Sequence, residues 1–131
     1  MSCELCDSDG GAVLWRDALC RVVRPGVQGY PGFLRVIVNR HVKEMTDLEE
    51  RERLMRVVFA CEAALRSLYS PDKVNLASLG NVVPHLHWHV IARFADDSHF
   101  PDAIWAAPRR PHRQRVAVAD EALARAIMAA L

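Results

Sequence analysis

An α+β fold, an antiparallel β-sheet packed against one long helix with a short C-terminal helix, is predicted by three observations. Short apolar segments at 12–24, the Val/Ile-rich run 33–39, the segment 73–79 and the alternating segment 85–93 read as strands. A single apolar stripe of helical period runs up to about Tyr69. No helix of useful length fits between the last two strand segments, so they pair antiparallel. At 131 residues, the chain is expected to form a single domain over 1–131.

Taken in order, Asp7-Ser8-Asp9-Gly10-Gly11 reads as a turn. Ala12–Arg16 and Ala18–Arg24 then form a hairpin around Asp17. An irregular connection through Pro25-Gly26 and Gly29 to Gly32 leads into Phe33–Asn39, expected as a central strand. Thr46-Asp47-Leu48-Glu49 has the form of a capping box, which predicts a helix from there to Tyr69, before Pro71. Leu54, Val58, Cys61, Leu65 and Leu68 form its stripe, and Val57, Phe59 and Ala60 widen it. That breadth fits either a thick core or contact with a second subunit. Lys73–Leu79 is a further strand. An irregular, proline- and arginine-containing segment spans about 94–118. Asp120 is placed to cap a final helix in which Leu123, Ile127 and Leu131 share a face.

Composition excludes several classes. The chain is 51% hydrophobic and 25% charged with net charge +1, so no global field favours a nucleic-acid polymer or an anionic membrane. The basic run Arg109-Arg110-Pro111-His112-Arg113-Gln114-Arg115 reads as a solvated loop. No apolar run has membrane-spanning length, and Met1-Ser2-Cys3-Glu4 begins polar, so a cytoplasmic location is expected. Cys20 and Cys61 sit in apolar segments and read as small buried hydrophobes. Cys3-Glu4-Leu5-Cys6 differs: in a cytosolic chain that spacing points to metal or redox chemistry.

The chemistry centres on His85-Leu86-His87-Trp88-His89-Val90-Ile91. In a strand, residues two apart share a face, so the three imidazoles line one surface while Leu86, Trp88 and Val90 face a core. Clustered imidazoles repel when charged, so an unused ladder costs stability. Two uses fit the pattern: a metal site built from alternate histidines, or phosphate chemistry with one imidazole as nucleophile.

The alternation of histidine with apolar residues resembles the signature of the histidine triad (HIT) superfamily of nucleotide hydrolases and transferases. Tyr30-Pro31-Gly32-Phe33, Val36-Ile37-Val38-Asn39-Arg40-His41, Met45-Thr46-Asp47-Leu48 and Gly80-Asn81 extend the likeness over about residues 3–105. The resemblance implies a HIT-like fold, a homodimer and a small-molecule nucleotide substrate. It implies hydrolysis or transfer at the α-phosphate, of a phosphoanhydride or a phosphoramidate, through a covalent nucleotidyl-histidine intermediate. His87 is then the nucleophile, His89 assists the leaving group and His85 orients the site. The amides of Asn75 and Asn81 and the backbone at Gly80-Asn81 are candidates to cradle phosphate, with turn and edge-strand chemistry as the alternative.

Some bacterial relatives bind a structural zinc, and the matching positions are Cys3, Cys6, His41 and His85. Catalysis itself is expected to need no cofactor. His99 and His112 lie outside both sets and read as surface residues. Three departures from relatives stand out. Phe33 occupies a frequent histidine position, Pro25 that of a ribose-binding acid or asparagine, and Ala92 that of the usual proline. The first two keep open a nucleotide-binding regulatory protein with weak or vestigial catalysis. A metalloenzyme using all three histidines is disfavoured, since no carboxylate accompanies them at suggestive spacing.

Overall fold

The computed structural model describes residues 2–131. A short helix α1 (Glu4–Asp7) precedes strands β1 (Ala12–Arg16), β2 (Cys20–Arg24) and β3 (Phe33–Val38). Helix α2 (Arg51–Tyr69), strands β4 (Lys73–Ala77) and β5 (His87–Arg93), and helix α3 (Asp120–Ala130) follow. The five strands form one antiparallel sheet in the order β1-β2-β3-β5-β4. The expected α+β architecture is present, with β3 in the middle of the sheet.

Strand alternation sorts side chains into two faces. Cys20, Val22, Leu34, Val36, Val90 and Ala92 point to one side and pack with Leu54, Val58, Cys61 and Leu65 of α2 and Leu123 and Ile127 of α3. The other face carries Arg21, Val23, Phe33, Arg35, Ile37, His87, His89, Ile91 and Arg93. It too is covered, in two places. Leu5 of α1 packs on Val23 and Ile37, while Tyr30 and Ile104 pack on Phe33 and Ile91. The histidines therefore lie between two small lids rather than on an open surface.

Several local expectations are corrected. The long helix starts at Arg51, not near Thr46. Leu48 is extended (φ −105°, ψ 118°) and fully buried, so the chain drops this side chain into the core before the helix begins. Met45–Asp47 makes an isolated 3₁₀ turn, in which the Asp47 carboxylate accepts from the Glu44 backbone N–H at 3.3 Å. Asp47, not Glu49, is the acid that closes a turn here. At the C-terminus of α2, Ser70 adopts the left-handed conformation (φ 47°) and donates its N–H to the Arg66 carbonyl before Pro71 ends the helix.

Asp120 is the first residue of α3, not its cap, because its carboxylate is drawn to Arg24 of β2 at 2.8 Å. Leu123 and Ile127 are buried as expected, but Leu131 is exposed past the last turn. Phe59 is likewise 55% exposed, whereas Val57 and Ala60 are buried, so α3 accounts for only part of the breadth of the α2 stripe.

Residues 94–119 contain neither helix nor strand, yet they are tightly held. Arg93 and Asp97, both almost fully buried, pair through Nε–Oδ2 at 2.8 Å and Nη2–Oδ1 at 3.0 Å. Asp97 also accepts the backbone N–H groups of Phe94, His99 and Phe100, and with Arg93 these hold its carboxyl well below the usual carboxylate range. The basic run is not merely solvated. Arg110 donates to the carbonyls of Asp97 and Phe100, Arg109 pairs with Asp102, and Arg115 pairs with Asp96 and covers the Phe94 ring. His99 is buried, contrary to its surface reading, and donates from Nδ1 to the Tyr30 hydroxyl at 2.7 Å, which in turn donates to Asp97. His112 is exposed.

Replacing Asp97 by asparagine leaves the Arg93 cation buried without its counter-ion. The expected loss is about 3–5 kcal/mol of folding stability, read by urea denaturation at neutral pH. A loss under about 1 kcal/mol rules this pair out as the clamp on the 94–119 segment.

Candidate active site

β5 places His87 and His89 on one face because they are two residues apart, and both are largely removed from solvent, at 8% and 6% exposure. His85, expected on the strand beside the other two, instead lies just before it, fully buried, with its ring turned to Cys3, Cys6 and His41. Register sets their neighbours: His87 faces Ile37 and His89 faces Arg35 across β3, with Ala77 beyond His89 on β4.

Backbone carbonyls fix two of the three tautomers, because a carbonyl only accepts. His85 Nε2 lies 2.6 Å from the Val38 carbonyl, so that nitrogen carries the proton and Nδ1 presents a lone pair. His87 Nδ1 lies 2.6 Å from the His85 carbonyl, so Nδ1 is the donor and Nε2 is the free, unprotonated nitrogen. His89 Nδ1 is buried and has no partner. Its ring meets those of His87, Phe33 and Trp105 edge-on, with centroids 4.9, 5.6 and 5.0 Å away.

Burial pushes all three imidazoles below their ordinary range, and His89 is lowered to about 4, with the charges of His87 and Arg35 adding to desolvation. The rings are therefore neutral near pH 7. For His87 this is the state in which a nitrogen can attack phosphorus without first losing a proton.

The depressed His89 pKa ties stability to pH. Below about 6.5 the unfolded chain takes up a proton that folded His89 refuses down to about 4, so stability rises with pH across that window. Some solvent still reaches the ring, so the contribution is on the order of 2 kcal/mol, less than the full shift converts to. Urea midpoints at pH 7 and pH 4.5 should therefore converge in His89→Asn relative to the wild type. An unchanged gap removes the assignment.

The segment after β4 comes back to the triad. Ser78 donates its hydroxyl to the His87 carbonyl at 2.8 Å, and a pocket of about 360 Å³ is lined by Ser78, Gly80, Asn81, His85 and His87. Gly80 has φ 67°, a conformation that suits glycine and turns the loop back toward β5. Asn75 stands apart from this pocket. It pairs with Ile91 in the sheet, and its Oδ1 accepts from Arg93 Nη1 at 2.7 Å.

At the other side of His85, four donors converge. His85 Nδ1 lies 3.4 Å from Cys3 Sγ, 3.5 Å from Cys6 Sγ and 3.2 Å from His41 Nδ1, while Cys6 Sγ lies 3.5 Å from His41 Nδ1. All four ligand atoms fall within 4.8 Å of one another. All four cysteines are free thiols, with Cys20 and Cys61 buried as expected.

Two residues beside the triad escaped the sequence reading. Arg35 projects from β3 next to His89, and Trp105 reaches back from the 94–119 segment to cover it. A charge inside the apolar run Leu34-Arg35-Val36-Ile37 was the available signal for Arg35. Trp105 had none, since its approach depends on the path of an irregular segment.

A family model for the HIT domain matches residues 10–96. Among solved structures, a histidine triad protein from Bradyrhizobium japonicum is 29% identical with a TM-score of 0.75, covering 91% of this chain and 92% of its own. One from Sinorhizobium meliloti is 25% identical at a TM-score of 0.69, with 100% and 96% covered. A third, from Marinobacter aquaeolei, is 27% identical at 0.63, with 92% and 85% covered. The comparison with curated proteins found no match.

Proposed function

Starting from the fact that this chain belongs to the HIT domain family, we propose that it hydrolyses or transfers a nucleotide at its α-phosphate through a covalent nucleotidyl-histidine on His87. The observation that carries this reading is the 2.6 Å hydrogen bond from His87 Nδ1 to the His85 carbonyl, which leaves Nε2 unprotonated on a ring held still.

In the first half-reaction, the Nε2 lone pair attacks the α-phosphorus. The bond to the leaving oxygen or nitrogen breaks, taking its electron pair, and the leaving group takes a proton from solvent water. His89 is neutral near pH 7, so it serves as a hydrogen-bond donor to the bridging atom rather than as a standing cation. In the second half-reaction, water displaces His87 from phosphorus and releases the nucleotide. The backbone at Gly80 and Asn81, which lines the same pocket as His87, would hold phosphate oxygens. Asn75, whose Oδ1 is taken by Arg93, stays outside the phosphate contacts.

The Cys3, Cys6, His41 and His85 cluster fits a structural zinc. A tetrahedron with Zn–S of about 2.3 Å and Zn–N of about 2.05 Å has six edges of about 3.3–3.8 Å; four of the separations here run from 3.2 to 3.5 Å and all six lie within 4.8 Å. His85 Nε2–H on the Val38 carbonyl is the outer hydrogen bond that orients such a ligand. A zinc held by these four residues would fasten α1 to the segment that leads into β5, and no step of the reaction passes through it. A homodimer is part of the same reading, with the exposed Phe59 of α2 as a candidate contact.

The experiment that tests the catalytic reading is a panel of adenosine and guanosine phosphoramidates and dinucleoside polyphosphates, assayed with the wild type and His87→Ala. Turnover by the wild type that vanishes in the variant supports it. No turnover of any panel member by the wild type refutes it and leaves nucleotide binding alone.

A further inference from the structure

One charged side chain on the triad face is unused by the reading above. Arg35 lies in β3 between Leu34 and Val36, which are both fully buried, and its own side chain shares the face of His89 and His87. It forms no ion pair among the described residues. Its one hydrogen bond there is long, from Nη1 to the Gly10 carbonyl at 3.4 Å, and its Nε is buried without any partner. Glu4 lines the same groove, yet its carboxylate does not pair with it. The guanidinium sits 6.0 Å from the centre of the Phe33 ring, which shields it on one side.

His89 adds a second, independent observation. Its Nδ1 is also buried and unpartnered, and His89 is the residue directly opposite Arg35. Two of the three orphaned buried side-chain atoms among the described residues thus belong to one cross-strand pair. A buried polar group without a partner costs about 1–3 kcal/mol, and more when charged. A half-buried guanidinium lacking a counter-ion is a further cost. Adjacent unpaired groups beside the nucleophile are what a site looks like when a ligand supplies the missing partners. A cation and a neutral imidazole together call for an anion rich in acceptor oxygens.

We propose that Arg35, directly across the sheet from His89, supplies the oxyanion subsite for the phosphate group that His87 attacks. The proposal deepens the nucleotide reading and rests on it. Residues directly opposite on one sheet face have Cβ atoms about 5 Å apart, and diagonal neighbours about 7 Å. A phosphate seated over His87 is therefore within reach of the arginine side chain from the diagonal position. The guanidinium fork can pair with two non-bridging oxygens at once and neutralise them. His89 is left to address the bridging atom.

Ligand affinity tests this without turnover. AMP, adenosine and inorganic phosphate are titrated calorimetrically into the wild type, Arg35→Leu and Arg35→Lys. Loss of a charge-assisted phosphate contact should weaken AMP binding about 10- to 100-fold in Arg35→Leu. Adenosine affinity should change by less than about threefold, and Arg35→Lys should recover part of the AMP loss. Arg35→Gln carries the same expectation as the leucine variant, should the latter misfold. AMP affinity within about threefold of wild type in the variants, or equal losses for AMP and adenosine, overturn the subsite. So does a wild type that binds neither AMP nor phosphate. The hydrolase reading is judged separately, by turnover in the wild type and His87→Ala, so the two can fail independently.

Discussion

His87→Ala is expected to lower turnover by about 10⁴-fold or more, the scale seen when a covalent nucleophile is deleted. The fold should survive, because the alanine loses a ring whose nearest partners are the His85 carbonyl and the edge of His89 rather than the main core. Acid quench during turnover should trap a nucleotidyl adduct on the wild type and none on the variant. If the alanine protein still forms the adduct, another residue is the nucleophile and the tautomer argument is misapplied. If the wild type binds nucleotide without forming any adduct, the regulatory reading suggested by Phe33 and Pro25 takes precedence.

Zinc should account for a second large effect. Protein purified without chelator is expected to carry about one equivalent, and less than about half an equivalent counts against the site. At free zinc a thousandfold above Kd, binding contributes about 4 kcal/mol, which for a chain of this size corresponds to roughly 15 °C in Tm. Cys3→Ser or Cys6→Ser should remove most of that increment and abolish the difference between metal-loaded and chelator-treated protein. A variant that still responds to zinc with the full shift places the ion somewhere else.

The sheet was readable in the sequence because its signals are local. The Val/Ile-rich run of β3, the histidine alternation of β5 and the lack of room for a helix before it suffice to predict those strands and the antiparallel pairing of β4 with β5. That β5 lies between β3 and β4 was not legible. Element ends were less readable. Thr46 and Glu49 match a capping pattern, but the burial of Leu48 is a tertiary demand that overrides it. Asp120 looks like a cap and is instead claimed by Arg24, nearly a hundred positions away in sequence.

The site divides the same way. The triad and the Cys/His set are carried by spacing and by likeness to relatives. Arg35, Trp105 and buried His99 were not visible as neighbours, because only register and the course of residues 94–119 bring them in. Asn75 shows the converse. Its position in the strand was foreseen, and its engagement by Arg93 was not.

The cluster joining Cys3 to His85 spans 82 positions of chain. His41 and His85 come together only after β3 and β5 have zipped, so an ion can settle there only late in assembly. Cation capture would then leave the speed of folding nearly untouched and instead slow the reverse process, since the bonds it adds are absent at the rate-limiting barrier. In a metal-poor medium such a protein would still reach its shape promptly, and would simply keep it for less time.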